Sequence, residues 1–351
     1  MGFSCTKVDF GQGNEKVENL YARFGSLEPN ICFAGHVDVV PTGDEQSWSI
    51  DPFGGEIKKG KIWGRGAADM KSGIAAFIAA VSQFMETNKN LKDYGSISFI
   101  ITSDEEGKAI NGTKKVVEWL INKSEKISGC IVGEPTNVNQ MGDTIKIGRR
   151  GSFTGSLTVK GIQGHVGYPD LAENPINSLL KMLEPFSKIY LDKGTNEFQP
   201  SSVMITTIDV NNDASNVIPG EVKAKFNIRF NTLHSVASLK SMLKNQFDAI
   251  TKNYEFDYFC NAEPFLTSDE ELKSTLQNAI AKVVNVNPEK STTGGTSDAR
   301  FITKLCPVIE FGLVGKTMHK IDENVEVDDI MKLTSIYNKF LHNYFRVEKN
   351  D

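Results

Sequence analysis

The stretch "FIITSDEEG" (99–107) sets an apolar run directly against three successive acids, Asp104, Glu105 and Glu106. Neighbouring carboxylates repel one another unless solvent or a cation neutralises them, so the cluster is either a solvated turn or part of a metal site. Side chains of the same chemistry end other apolar runs. "ICFAG" (31–35) leads into His36 and Asp38, "CIVG" (130–133) into Glu134, and "VIEFGLVGKTM" (308–318) into His319. Two imidazoles with three or four carboxylates and no thiolate suit Zn2+ or a similar divalent ion, and are more than one ion uses. Two ions are therefore expected.

Singly, each of these residues has an ordinary structural reading. His36 alone reads as a packed core or turn histidine, Glu134 before Pro135 as a strand end, and His319 beside Lys320 as a surface-loop residue. Asp38, two positions after His36, adds a carboxylate able to fix the ring tautomer. Asp69, in "GRGAADMKSG" (64–73), stands just ahead of a periodic helix. It suits either an N-cap or a carboxylate shared by two metals.

The elements that must position these groups are legible as alternating strands and helices. Strands are expected at 19–24, 31–35, 97–102 and 130–133. Met70, Ile74, Phe77, Ile78, Val81, Phe84 and Met85 recur at helical spacing, and Val116, Val117, Leu120 and Ile121 mark a second helix. Strands apolar on both faces that alternate with helices predict an α/β domain with a mostly parallel sheet covered by helices. In such sheets ligands gather beyond the carboxyl ends of the strands, where the acids and histidines fall.

The glycine-spaced stretch "IGRRGSFTGSLTVKGIQGHVGYP" (147–169) breaks that rhythm. Beyond it a helix is expected near 175–190, strands near 202–210, 221–230 and 254–260, and a helix near 236–249. The alternation of "VKAKFNIRF" (222–230) suits a sheet with one wet face. From about 264 the first pattern resumes, with a helix at 269–284, a strand at 308–314 and a closing helix near 327–346. The expected organisation is a discontinuous catalytic domain, 1–151 and 264–351, interrupted by a smaller α+β domain at 152–263.

Composition bounds the function. The chain has 351 residues, 39% hydrophobic and 24% charged, which are globular values. A net charge of −5 argues against a general nucleic-acid or anionic-membrane surface and allows a local basic pocket. Five scattered cysteines without C-x-x-C spacing read as thiols of a reducing compartment. No leader-like or membrane-spanning run is visible, so a cytoplasmic location is expected. Two phosphate motifs fail. "GEIKKGKI" (55–62) places Ile62 where a P-loop needs a hydroxyl, and its alternation reads as a hairpin turning at Lys59-Gly60. "GRGAAD" (64–69) places Asp69 at the third glycine of the dinucleotide fingerprint, where it would repel a pyrophosphate.

With these residues in view, "GHVDVVPTGD", "GRGAADMKSG", "TSDEEG" and "GEPT" resemble the successive signatures of the dinuclear-zinc amidohydrolase and peptidase superfamily that includes acetylornithine deacetylase, aminoacylases and carboxypeptidases. "IGRRGS", "GIQGHVGYPDLAENPI", "NVIPGE", "TTGGTSDARF" and "MHKIDE" are similar to its branch that removes an N-succinyl group from a diamino dicarboxylate in lysine biosynthesis. The resemblance covers nearly the whole chain. It implies His36 and Glu134 at one zinc site, Glu106 and His319 at the other, and Asp69 bridging, with Co2+ an option at one of them. Asp38 would orient His36, Glu105 would be the general acid/base, and Asp104 would stay structural. The inserted domain would be a dimerisation or lid domain of a homodimer that supplies His165 to stabilise the oxyanion. Tyr168 and Asn216 match substrate contacts, as do Arg149, Arg229, Thr296 and Arg300. Three guanidiniums suit a substrate with three carboxylates, each clamped by a planar fork.

Two departures from the family pattern stand out. Members usually begin with a helix of about 25–30 residues ahead of the segment matching "GFSCTKVDF", and without it an apolar flank of the sheet is expected to lie uncovered. Gly315 stands where many relatives carry Asn, so one substrate hydrogen bond is expected to be missing or supplied otherwise. Another N-acyl amino acid hydrolase such as an acetylornithine deacetylase, and a non-catalytic truncated paralogue, are the rival readings.

Overall fold

The computed structural model describes residues 1–347. Two compact units emerge, one formed by Met1–Ile147, Leu266–Ser291 and the chain from Ser297 onward, the other by Gly148–Phe265 with Thr292–Thr296. The first is an α/β unit around an eight-stranded sheet in the order Ser4–Lys7, Leu20–Phe24, Ser96–Thr102, Asn30–His36, Gly129–Val132, Val308–Glu310, Thr144–Lys146 and Glu289–Ser291. The four central strands run parallel. Their apolar sequences follow from burial on both faces: every residue of Asn30–His36 is buried.

Helix Ser72–Thr87 lays Ile74, Phe77, Val81 and Phe84 on this core. Phe77 stacks on Phe33 of the central strand at 4.4 Å, and Tyr337 of helix Val327–Tyr344 meets its edge at 5.1 Å. Ile78 departs from the expected stripe and is 41% exposed, because it lies at the margin of the face centred on Phe77 and Val81. The N-cap reading of Asp69 fails. A π-turn, Ala67–Lys71, precedes the helix, and Asp69 itself is non-helical (φ −122°, ψ 93°), which turns its carboxylate away from the helix start.

The hairpin forms where expected, between Ile57–Lys58 and Lys61–Trp63, with positive φ at Lys59 (53°) and Gly60 (77°), as a two-residue turn of this type requires. Strand Asn324–Glu326 adds to its other edge. The strand expected at 308–314 is shorter, Val308–Glu310. Beyond it the chain crosses the Glu134 backbone so closely that a Cβ on Gly312 would lie 2.3 Å from the Gly133 carbonyl oxygen and 2.4 Å from that of Glu134.

In the second unit, strands Ser202–Asp209, Glu221–Phe230, Gly151–Lys160 and Tyr254–Ala262 form an antiparallel sheet in that order. Alternation buries Val222, Ala224, Phe226, Ile228 and Phe230 and leaves Glu221, Lys223 and Lys225 in solvent. Helices Pro175–Leu183 and Val236–Asp248 supply Leu179, Met182, Leu239, Leu243 and Phe247 to this core. The helix expected to reach 190 ends at Leu183 and tightens into a 3-10 turn over Glu184–Lys188. Pro185 is the cause, since it has no N–H to donate to the carbonyl four residues back, while Glu184 before it still holds α geometry. All five cysteines are free, with Cys32, Cys130 and Cys306 buried. Among the described residues no helix is long and apolar enough to cross a membrane.

Candidate active site

Parallel pairing explains how distant residues meet. Along the central strands Ala34 pairs with Val132 and His36 with Thr102, so the chain segments that continue into Glu134, into Asp38 and into Glu105 and Glu106 leave the sheet at adjacent rungs. Asp69 arrives from the turn before the long helix, and His319 from the loop between Val308–Glu310 and Asn324–Glu326.

Asp69 stands between the two histidines. Its Oδ1 is 3.1 Å from His36 Nε2 and its Oδ2 3.1 Å from His319 Nε2. Glu134 lies on the His36 side, 3.9 Å from Nε2, and Glu106 on the His319 side, 2.7 Å from that ring. The His36 ring is 1% exposed and its Nδ1–H donates to the Asp38 carbonyl at 3.0 Å. In the neutral ring that bond leaves the Nε2 lone pair facing Asp69 and Glu134, the orientation a metal ligand needs. Asp38 therefore holds the ring chiefly through its backbone; its Oδ1 is 3.6 Å from Nδ1, and its Oδ2 accepts from the Glu106 N–H at 2.9 Å.

The three successive acids have separate partners. Asp104 turns inward and accepts from the N–H groups of Ala109, Ile110 and Asn111 at 3.2, 2.8 and 2.8 Å, closing the loop. Glu106 meets His319, whereas Glu105 turns toward His36 and Glu134. Donor atoms of His36, Asp69 and Glu106 lie within 4.8 Å of one another, as do those of His36, Glu105 and Glu134. This set of hard oxygen and imidazole donors around one shared carboxylate fits a pair of divalent cations.

The electrostatics express the same crowding. Burial disfavours charge on His36, but the hydrogen bond to Asp69 and the charges of Glu134 and Asp69 outweigh it and push the ring up to about 11. Asp69 is held down at about 2 because its two histidine hydrogen bonds exceed the cost of burial. Burial, followed by the charge of Asp298, raises Glu105 to about 8. Glu134 is raised well above the carboxylate range by burial and then by Asp69. The His319 ring is raised to about 9, first by its hydrogen bond to Asp69.

Arg300 lies in this unit, on the short helix Ala299–Ile302, beside buried Asp298. The other expected substrate contacts belong to the second unit. There Arg149 donates to the carbonyls of Thr293 and Gly295, both at 3.3 Å. Thr296 is half-buried, and Tyr168 and Asn216 are exposed. Arg229 is half-buried, and burial followed by the neighbouring Arg150 charge lowers its pKa. His165 is exposed, and its Nδ1 accepts from the Gly167 N–H at 3.0 Å, which in the neutral ring leaves the proton on Nε2. Sequence reasoning passed over Asp298, whose burial is invisible in "GTSDAR", and over Arg65 and Glu323, which join inside the first unit. Their only signal was position, within "GRGAADM" and four residues after His319.

Residues 32–343 match the model of peptidase family M20/M25/M40. Succinyl-diaminopimelate desuccinylase of Pelagibacter ubique is 53% identical over 350 residues, 98% of this chain and 91% of that protein. The protein of the same name from Rhodospirillum centenum is 51% identical over 346 residues, 98% of this chain and 89% of the other. Among solved structures, an M20 family metallo-carboxypeptidase from Sulfolobus solfataricus superposes with a TM-score of 0.77 at 18% identity, over 99% of this chain and 91% of that one. A dinuclear metal-binding M20 peptidase from Bacillus subtilis gives 0.68 at 15% identity, over 94% and 86%. With the family model spanning most of its length, this chain belongs to peptidase family M20/M25/M40.

Proposed function

We propose that this chain hydrolyses the amide of N-succinyl-LL-2,6-diaminopimelate to succinate and LL-2,6-diaminopimelate, in the cytoplasm, on the route to diaminopimelate and lysine. The observation that carries this reading is identity of 53% and 51%, over 98% of the chain, to desuccinylases of that substrate. The geometry of Asp69 between two histidines supports the chemistry.

Two Zn2+ ions would be held by His36 with Glu134 and by His319 with Glu106, sharing Asp69, with Co2+ an option at one site. When bound, such a pair lowers the pKa of a water and polarises the amide carbonyl. Glu105 takes a proton from the attacking water as the water oxygen bonds to the carbonyl carbon, then delivers it to the nitrogen as the C–N bond breaks. Asp38 keeps the His36 ring in place. His165 presents its Nε2–H to the developing oxyanion, reaching the site from the inserted domain of a homodimer. Arg149, Arg229 and Arg300 clamp the three substrate carboxylates, with Tyr168, Asn216 and Thr296 completing the contacts. The inserted domain, expected at 152–263 and folded as Gly148–Phe265 with Thr292–Thr296, serves dimerisation and closure of the site.

The test is turnover of zinc-loaded protein on N-succinyl-diaminopimelate and on N-acetylornithine, with metal stoichiometry on the same sample. Preference for the succinyl substrate with two metal equivalents is expected. Preference for acetylornithine overturns the substrate assignment, and inert protein that takes up no divalent ion overturns the reaction itself.

A further inference from the structure

The Arg65–Glu323 ion pair is the most buried one near the site, with side chains 3% and 1% exposed and a 2.7 Å contact. Glu323 Oε1 accepts from two successive backbone N–H groups, those of Ala68 (2.9 Å) and of Asp69 itself (3.1 Å). Its carbonyl accepts from the Gly64 N–H at 2.9 Å. Arg65 also donates from Nη1 to the Lys320 carbonyl (3.1 Å), next to His319, and from Nη2 to the Pro41 carbonyl (3.2 Å), three residues beyond Asp38. Its guanidinium also lies 5.1 Å from the ring centroid of Trp48.

A buried ion pair that only stabilises a core is often replaceable by apolar residues at no loss, because desolvation offsets its attraction. This pair is placed differently. Its side-chain hydrogen bonds end on the three segments that carry His36, Asp69 and His319. Two of those segments need outside support. Asp69 sits in non-helical backbone ahead of a helix, where its N–H has no helical acceptor, and His319 holds a left-handed φ of 62°, a conformation that surrounding contacts must impose on a non-glycine residue. His36 and Glu134, by contrast, leave strands locked in the sheet.

We infer that Arg65 and Glu323 are positioning residues that set the Asp69 carboxylate and the His319 loop at cation-binding distance from each other. The inference rests on the metal-centre reading above. Groups in this position around metal ligands are worth about 10–100-fold in affinity.

The experiment is calorimetric titration of metal-free protein with Zn2+, together with the visible absorption of the Co2+-loaded form, whose bands report coordination geometry without turnover. Glu323→Gln keeps an acceptor for the two N–H groups but loses the charge facing Arg65. Arg65→Lys keeps the charge but not the fork that reaches Glu323, Lys320 and Pro41 together. Both variants are expected to weaken one Zn2+ equivalent by about 10–100-fold, leave the other nearer wild type, and shift the Co2+ bands, with the metal-free protein still folded at the assay temperature although its melting temperature falls, because each change leaves a buried partner less well compensated. Two equivalents at wild-type affinity and an unchanged Co2+ spectrum overturn the inference. So does metal-free unfolding of both variants, since that makes the pair a general support of the fold. Wild-type protein that binds no Zn2+ removes the metal centre itself, and the inference with it.

Discussion

Glu105→Gln separates a proton carrier from a metal ligand at a position where distance alone does not. Glu105 shares a 4.8 Å neighbourhood with His36 and Glu134, so ligation is geometrically open to it. The amide keeps the shape and one acceptor oxygen but carries no proton between water and leaving nitrogen. General acid–base catalysis contributes about 10²–10⁴-fold, and this site offers no substitute. Asp69, Glu106 and Glu134 face the histidines, and Asp298 is buried beside Thr113 and Arg300. The loss is therefore expected in the upper part of the range, about 10³–10⁴ in kcat, or about 4–5.5 kcal/mol of barrier. KM and the two metal equivalents should stay near wild type. The assay is steady-state kinetics on N-succinyl-diaminopimelate with metal content on the same preparation. A kcat within tenfold of wild type refutes the proton-carrier role. Loss of one metal equivalent in step with activity refutes it differently, by making Glu105 a ligand.

Asp104→Ala leaves the N–H groups of Ala109, Ile110 and Asn111 without their acceptor and should cost about 1–3 kcal/mol in urea unfolding. Asp104→Asn should recover part of it, and a loss under about 0.5 kcal/mol counts against the loop-closing role. In the second unit Asp192 accepts from Ser201, Gly194 and Asn231 and faces His234. Burial works against its charge, yet these hydrogen bonds hold its carboxyl below the usual range. Its stabilisation is thus complete above the unfolded pKa of about 4 and lost as pH falls through the lower folded value. Asp192→Ala should lower the melting temperature at pH 7 and flatten its fall below pH 4, and an unchanged acid limb refutes the assignment.

Much of the site was legible because metal chemistry restricts residue types. Only a few side chains bind a hard divalent cation, and here they stand directly after apolar runs, as at "ICFAGH" and "CIVGE". Helix Ser72–Thr87 and the strands of both units were legible for a related reason, since burial on one face or two leaves a period of 3.6, a period of 2 or an unbroken apolar run. The missed features depend on contacts between distant segments. The strand from Val308 stops at Glu310 because the chain must pass over Glu134, and nothing in "VIEFGLV" records that crossing.

The amino-acid order by itself pointed to the groups able to hold a cation and to the elements that carry them, because side-chain chemistry and hydrophobic period are local properties. Only the tertiary structure decided that Asp69 faces two histidines instead of capping its helix, that Asp38 holds His36 mainly through a carbonyl, and that Arg65 and Glu323 join beneath the site. The first and the last depend on strand register or on buried hydrogen bonds between segments tens to hundreds of residues apart, and the second on how the chain turns as it leaves its strand, and none of these leaves a periodic trace in the sequence.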